Sequence, residues 1–475
     1  MTLEQEQQEQ QEHRQIIKTR EDPKPIILDR LDDAASVSFK PIKEGDAPCS
    51  WAKDDQAIGP EQLRPRIEPW LTALVQSEHL SLLIGSGLTR AVHQLATDKE
   101  LSWMETARFE GFADEINTES ERTAKAAGRE SANFEDQLRV ANELLRGLQI
   151  IACSKPEDAP EHGHIMGLQQ ELIKALKSFA NSILEAERDL AGSDTKRETA
   201  FNYLVSFLMS LASRSGTRDR LHIFTTNYDR CIEAGADIAG LRLIDRFVGT
   251  LMPVFRASRL DVDLHYNPPG IRGEPRYLEG VARFTKLHGS VDWIDCHRAI
   301  RRFGLPFGAE NITPYLQAPG LGGADAMRLM IYPNAAKDRE TAEYPYVELF
   351  RDFAASICRP NSTLVTYGYS FGDEHVNRVI EDMLTIPSAH LVIISFSDPQ
   401  RRIMSLYDRL GRPAQITLLI GDHLGDLRAL VDHYLPKPAI DRTTLRMAEL
   451  LNKRFGAQPS QSQDCGTTDT GGQSL

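Results

Sequence analysis

The chain has 475 residues, enough for a large buried core and two or three structural units. Its net charge of −13 argues against a strong nucleic-acid-binding surface, and its six cysteines include no Cys-x-x-Cys pair, which argues against a zinc knuckle or a disulfide framework. No apolar run reaches the roughly 18 residues of a membrane span and the chain does not open like a signal peptide, so we expect a soluble, cytoplasmic protein with no membrane partner.

The two ends of the chain have compositions typical of disorder. Residues 1–60 open with a Gln/Glu tract and lack sustained apolar periodicity, so they are predicted to form a largely disordered arm. Residues 436–455 are predicted to form a C-terminal helix, and the Gln/Ser/Gly/Thr-rich residues 456–475 a disordered tail. The chain between them, residues 61–435, is predicted to fold as one α/β domain.

The first pattern of interest is a buried strand followed by glycines. Leu80-Ser-Leu-Leu-Ile84 predicts the strand, and Gly85-Ser86-Gly87 precedes a helix. Glycines in this position let backbone N–H groups approach a phosphate at the helix N-terminus. The loop lacks the Lys-Ser/Thr of a loop that binds nucleoside triphosphates. Arg90 occupies the position of the third glycine in the classical dinucleotide-binding motif. A plain tight turn is an equally good interpretation.

The next hundred residues have helical periodicity. Apolar residues recur at spacings of three and four over 134–148, 165–184 and 200–211. Residues 98–214 are therefore predicted to be a helical insertion between the first two strands of the sheet. Their apolar side chains are more numerous than one sheet face can cover, so we predict a homo-oligomer.

A second strand ends in a polar turn. Leu221–Thr225 predicts a short strand, Thr226-Asn227-Tyr228-Asp229 the turn, and the residues from Arg230 a helix. In an open α/β sheet, ligands bind at the carboxyl ends of such strands. Asn227 can donate and accept hydrogen bonds, and Asp229 can accept them or supply a fixed charge. Alternatively, both residues only shape the turn and cap the helix.

A third strand, from Val281, ends at His288, with Gly289-Ser290 behind it. This position exposes the imidazole at a strand end, and histidine side chains titrate near neutral pH. A purely structural histidine is an equally common alternative.

A fourth strand, over 362–367, repeats the pattern. Gly368, Tyr369 and Ser370 follow the strand, and Asp373 is the expected N-cap of a helix over 374–384. The remaining predicted elements are strands over 241–244, 327–332, 390–396 and 415–420 and a helix over 343–357.

Together the four strand-to-turn segments resemble the sirtuin family, in particular the bacterial sirtuin-like proteins of anti-phage defence systems. The resemblance covers roughly residues 75–435, and the combination is specific although no single motif is. It implies a Rossmann-like parallel sheet of the sirtuin type that binds NAD as its substrate. By resemblance, NAD binding is assigned to these turn residues: Gly85, Ser86, Gly87, Thr226, Asp229, Gly368 and Ser370.

The resemblance assigns catalysis to two residues. Asn227 matches the family's asparagine beside the nicotinamide ribose, and His288 matches its catalytic histidine. In the family the glycine loop holds the pyrophosphate, and the aspartate matching Asp229 holds the carboxamide.

One departure from the family concerns zinc. Protein-deacylating sirtuins carry a four-cysteine zinc module between the motifs that match His288 and Gly368, whereas only Cys296 and Cys358 lie in that interval here. No metal is therefore expected. The helical insertion and the segment 331–337 resemble the defence branch, whose members hydrolyse NAD; some of them assemble with a HerA-type ATPase, which implies such a partner here.

The predicted function is hydrolysis of NAD to nicotinamide and ADP-ribose as an anti-phage effector, activated through a partner or an assembly. Cleavage passes through an oxocarbenium-like state, so the enzyme must orient a leaving group and a water. Two alternatives stay open: a non-catalytic sensor of NAD or ADP-ribose, and an NAD-dependent protein deacylase. The missing cysteines disfavour the deacylase.

Overall fold

The element that positions every motif is a ten-stranded mixed sheet. The computed structural model describes residues 14–19, 22–33, 36–42, 51, 57–101, 106–126, 129, 131–192, 196–214, 218–258, 262–266, 276–296, 299–321, 327, 329–331 and 344–437. The predicted helix over 436–455 and tail over 456–475 lie almost wholly outside these residues. Residues up to Pro436 belong to one compact unit.

The strands are numbered in chain order. They are β1 (Arg14–Lys18), β2 (Ile26–Asp33), β3 (Ser36–Pro41), β4 (His79–Ile84), β5 (His222–Thr225), β6 (Arg242–Ile244), β7 (Phe247–Val248), β8 (Val254–Phe255), β9 (His265–Tyr266), β10 (Arg276–Tyr277), β11 (Val281–Lys286), β12 (Gly289–Asp295), β13 (Ile300–Arg302), β14 (Leu329–Ile331), β15 (Ser362–Tyr367), β16 (His390–Ser395) and β17 (Ile416–Ile420).

The sheet has the order β3-β2-β1-β17-β16-β15-β4-β5-β11-β6. The seven strands from β17 to β6 pair in parallel. Strands β1, β2 and β3 extend the sheet in antiparallel fashion beyond β17. The predicted Rossmann-like parallel sheet is thus confirmed, with an antiparallel extension that the sequence did not indicate.

The helices are also numbered in chain order. They are α1 (Pro60–Val75), α2 (Ser86–Thr97), α3 (Ala113–Ala126), α4 (Phe134–Ala152), α5 (Pro160–Gly192), α6 (Arg197–Ala212), α7 (Cys231–Ala239), α8 (Tyr346–Ile357), α9 (Glu374–Leu384), α10 (Arg402–Leu410) and the short α11 (Leu427–Ala429). Within the described part of the chain, none of these helices has both the length and the apolarity needed to cross a bilayer.

Helices cover both faces of the sheet. Because alternate residues of a strand point to opposite faces, a strand can contribute side chains to two apolar clusters. Leu82 and Ile84 of β4 join one apolar cluster with α1, α2, α6 and α7. Leu83, on the opposite face, joins a second cluster with α8, α9 and α10. Helices on both faces of a parallel sheet form the three layers expected of this fold class.

The helical insertion agrees with its prediction. The predicted helical segments appear as α4, α5 and α6, each longer than the apolar pattern alone indicated. Helices α3, α4 and α5 build a third apolar cluster, which includes Tyr228 of the polar turn and Val291 of β12. The insertion therefore packs against the turn that follows β5 and against β12.

The predicted disordered arm over residues 1–60 is wrong for its central part. Residues 14–18, 26–33 and 36–41 are strands of the main sheet. Strand β1 pairs with β17, about 400 residues away along the chain. This polar segment forms a strand because the tertiary structure places β17 beside it.

A second, five-stranded sheet also differs from expectation. Its order is β14-β12-β13-β8-β7, and its strands β7 and β8 lie in a part of the chain where the sequence analysis predicted no strand. The predicted strand over 327–332 appears as β14, and Tyr332 lies outside the described residues.

Candidate active site

The four predicted turns converge at one edge of the main sheet. Strands β15, β4, β5 and β11 are neighbours and all parallel. The register pairs Ile84 with Thr225 and Tyr367, and Thr225 with Lys286. The residues that follow these strands therefore lie side by side at their carboxyl ends, where open α/β sheets bind ligands.

The glycines of two turns pack backbone against backbone. A Cβ added at Gly85 would lie 2.4 Å from the carbonyl oxygen of Gly368, and one added at Gly87 would lie 2.5 Å from its Cα. The Gly87 N–H donates to the Gly368 carbonyl at 3.0 Å. Gly368 itself has φ +60°, a conformation that favours glycine. This packing alone requires the three glycines, and their contact with a phosphate stays a prediction.

Asn227 is buried behind this glycine turn. Its Nδ2 donates to the Gly85 carbonyl at 3.0 Å and to Thr89 Oγ1 at 3.1 Å. Its backbone N–H donates to Thr225 Oγ1, also at 3.0 Å. An asparagine amide has two N–H donors and one oxygen. Because Gly85 and Thr89 accept from both donors, Oδ1 is the atom suited to accept a hydrogen bond from a ligand or water.

Asp229 shapes the turn, as the structural alternative predicted. Its Oδ1 accepts from the Cys231 N–H at 3.0 Å, and its Oδ2 accepts from Thr89 Oγ1 at 2.9 Å. Thr89 thereby joins Asp229 to Asn227. Thr226 is half-buried and donates its N–H to the Ile84 carbonyl at 3.2 Å. The predicted roles of Asp229 and Thr226 in NAD binding remain predictions.

His288 pairs with a carboxylate. Its Nε2 lies 2.7 Å from Asp373 Oδ2, and the His288 side chain is 12 % exposed. Asp373 Oδ1 accepts from the His375 and Val376 N–H groups, so the predicted N-cap of α9 is confirmed. One carboxylate therefore caps a helix and holds an imidazole.

This pair was missed by the sequence analysis, although Asp373 was identified as a cap. An ionised carboxylate only accepts hydrogen bonds, so in the neutral imidazole this contact favours the tautomer with the proton on Nε2 and the lone pair on Nδ1. The residue type at 373 was the available signal, but 85 residues separate the partners.

Tyr228 lies between the turn of β5 and the histidine. Its ring centroid is 6.2 Å from that of His288. Its carbonyl accepts from the Val291 N–H at 3.1 Å and from Ser290 Oγ at 3.3 Å. Ser290 is fully buried, so this serine supports the turn.

Buried charges underlie the turn, and the sequence analysis did not identify them. Lys286 Nζ donates to the Asp229 carbonyl and to Glu233 Oε1, the latter at 3.0 Å. Arg230 forms an ion pair with Glu187 of α5, and both side chains are buried. Burial raises the pKa of Glu233, an effect that the Lys286 charge opposes. These contacts connect the insertion to the residues that follow Asn227.

Ser86 and Ser370 differ from the buried groups because both are exposed. Ser86 is the first residue of α2, whose N-terminal N–H groups favour an anion. Ser370 lies two residues after Gly368, the glycine that packs against Gly85 and Gly87. Both positions are open to a ligand.

Across the described segments, no group of three or more His, Cys, Asp or Glu side chains is arranged to hold a metal ion. Cys153, Cys231 and Cys358 are free thiols.

Comparison with known proteins identifies a domain within the chain. Residues 221–410 match the family described as a SIR2-like domain. This range contains Asn227, His288, Gly368 and Asp373 but begins after the glycine turn at residue 85. The match supports a sirtuin-like family and fits use of NAD. No curated protein matches the chain.

Proposed function

We propose, from the premise of a SIR2-like domain over residues 221–410, that this protein hydrolyses NAD to nicotinamide and ADP-ribose. The observation that carries the proposal is the proximity of the Asn227 turn to the His288–Asp373 pair at adjoining strand ends. This arrangement combines an acceptor suited to hold a water with a base whose tautomer is fixed.

Asn227 supplies the acceptor. With Nδ2 bonded to Gly85 and Thr89, its Oδ1 accepts a hydrogen bond from the attacking water. Two anchoring bonds hold the amide in place before substrate arrives. Such positioning lowers the barrier because the water is already oriented towards the ribose carbon.

His288 supplies the base. Asp373 holds the Nε2–H, so the Nδ1 lone pair takes a proton from the water as it attacks. A carbon–oxygen bond forms at the ribose, the carbon–nitrogen bond breaks, and its electron pair neutralises the departing nicotinamide. General-base catalysis of this type contributes about 10²–10⁴ in rate.

The glycine turns and exposed serines supply the binding surface. The N-terminus of α2, with Ser86 exposed, suits the pyrophosphate. Ser370, at the neighbouring turn, suits a ribose or phosphate oxygen. Gly85, Gly87, Gly368, Thr226 and Asp229 frame this surface, in the positions for which the sirtuin resemblance assigns NAD contacts.

The biological role is proposed on the resemblance alone. It is that of an anti-phage defence effector, activated through assembly or through a HerA-type ATPase partner. The test of this role is protection of cells from phage by the wild-type gene and its neighbours, compared with the same genes carrying His288→Ala.

The enzymatic proposal is tested by incubating the purified full-length chain with NAD, with and without an acetyl-lysine peptide. Nicotinamide released without peptide supports hydrolysis. Release that requires peptide indicates a deacylase, and binding without turnover indicates a sensor; either result contradicts the proposal.

A substitution of Asp373 tests the His288–Asp373 pair. Asp373→Asn keeps a side chain that caps helices well but loses the ionised partner of His288. We expect turnover to fall by as much as about 10⁴-fold, as when a catalytic histidine loses its orienting aspartate. Asp426→Asn is the matched control, because Asp426 caps α11 through the Ala429 N–H. Equal turnover by the two variants would contradict a catalytic role for the pair.

A further inference from the structure

The insertion brings a carboxylate to the active site. Glu135, in the first turn of α4, has its Oε1 3.5 Å from the Tyr228 hydroxyl. Tyr228 is the residue after Asn227, and its ring neighbours that of His288. One side chain thus separates the insertion from the catalytic histidine.

An electrostatic interaction links the same part of the insertion to the start of α9. Arg129 makes two hydrogen bonds to Asp136, each of 2.6 Å. These bonds raise the pKa of Arg129, and the nearby charges of Glu135 and Glu374 add to the effect. Glu374 directly follows Asp373, which holds His288. The charge of Arg129, which is bound to the first turn of α4, therefore interacts with the first residue of the helix that carries the histidine's partner.

The pKa of the Tyr228 phenol reflects the charges around it. Burial raises its pKa well above the usual value, and the carboxylates of Glu135 and Asp373 contribute in the same direction. The phenol therefore stays neutral. Within this group the ionised side chains near the phenol are acidic, and Asp373 already pairs with His288. The local field thus favours a positive charge on a ligand.

We propose that Glu135 is a specificity-determining residue that recognises the positive charge of the nicotinamide ring of NAD. This inference rests on the proposed function and extends it. Oxidised NAD carries a cationic ring, and NADH has a neutral ring of similar shape. As the bond breaks, the positive charge spreads onto the ribose, so the same carboxylate stabilises the reacting state.

The magnitude follows from the distance over which a carboxylate acts. A charge within about 4–6 Å of an opposite charge changes an equilibrium by about 10- to 10³-fold. A preference of this size for the oxidised nucleotide is expected in the wild type. The Glu135→Gln variant keeps the size and polarity of the side chain and removes its charge.

The experiment measures equilibrium binding of the uncleavable carbocyclic analogues of NAD and NADH to the full-length chain. The expected result is a preference of about tenfold or more for the oxidised analogue, which Glu135→Gln reduces towards unity. Glu143→Gln is the matched control: Glu143 lies on the same helix, is half exposed and contacts Arg139. It should keep the wild-type preference.

Thermal unfolding and NAD turnover complete the design. A purely structural role for Glu135 would lower stability and weaken binding of both analogues equally, which overturns the inference. A wild type that binds neither analogue or shows no preference also overturns it. Cleavage of NAD with a preference unchanged in Glu135→Gln refutes the inference and leaves the proposed function standing. A Glu135-dependent preference without cleavage supports the inference and refutes the hydrolase.

Discussion

At the scale of single residues, Asn227 has a structural and a proposed catalytic task. Its Nδ2 satisfies the carbonyl of Gly85, whereas its Oδ1 is the proposed water acceptor. Asn227→Ala removes both. The Gly85 carbonyl keeps its second hydrogen bond, from the Leu88 N–H at 3.2 Å. We therefore expect a loss of stability of about 0.5–1.5 kcal/mol for each hydrogen bond that the Asn227 side chain no longer makes, in addition to the kinetic loss.

The kinetic prediction joins Asn227 to His288. Asn227→Ala should lower turnover of NAD by about 10²–10³ and His288→Ala by about 10²–10⁴. Because both residues serve one event, the double variant should lose much less than the product of the two factors. Single-turnover assays on folded variants measure this. Full turnover by Asn227→Ala would refute the water-positioning role.

Gly87 allows packing and ligand binding to be separated. The Cβ of Gly87→Ala would lie 2.5 Å from the Cα of Gly368, closer than real side chains come. We expect a lower unfolding temperature together with lost NAD binding. Gly147→Ala, in α4 where nothing lies within 4 Å, should keep or gain stability by about 0.5–1 kcal/mol. Wild-type stability with lost binding in Gly87→Ala would instead indicate a direct phosphate contact.

At the scale of elements, β1 stabilises the loop that follows β17. Gln15 Oε1 accepts from the His423 and Leu424 N–H groups, both at 3.0 Å. A Cβ at Gly421 would collide with the Gln15 side chain. The N-terminal segment is therefore an integral part of the sheet.

His423 in this loop predicts a pH dependence of stability. Burial, the His433 charge and Arg30 lower its pKa from 6.5 to about 4. The unfolded chain therefore binds a proton near pH 6.5 that the folded chain resists until about pH 4, so stability falls as the pH falls through this window. At about 1.4 kcal/mol per pH unit the loss is at most about 3.5 kcal/mol.

Urea unfolding at pH 7 and pH 4.5 checks the effect. His423→Gln should show a smaller difference between the two pH values than the wild type, because glutamine does not titrate. Equal differences would mean that other groups cause the pH dependence.

At the scale of the whole molecule, the homo-oligomer remains a prediction. Much of the apolar surface of the insertion is buried within the chain itself. Ile150, Ile151 and Met166, on the adjoining ends of α4 and α5, stay 60 %, 54 % and 61 % exposed. Burying such side chains between subunits would be favourable.

Sedimentation at micromolar concentration tests this prediction. We expect an assembly that Ile151→Glu weakens, whereas Ile238→Glu, at an equally exposed position on α7, should leave it intact. A clean monomer of the wild type would contradict the prediction.

Features that depend on neighbouring residues were predictable from the sequence. The strand over 362–367 and the helix over 374–384 have the predicted bounds. Asp373 caps that helix as expected, because an N-cap bonds to N–H groups two and three residues ahead. The meeting of four turns at one sheet edge followed from parallel strands that each end in polar residues.

Only the tertiary structure decided which distant groups meet. His288 pairs with Asp373, and Glu135 of the insertion lies beside Tyr228. Strand β1 forms in a polar segment because β17 leaves an open edge for it. Local propensity and apolar periodicity are properties of short windows of sequence, whereas these contacts depend on where the folded sheet places the ends of its strands and its unpaired edge.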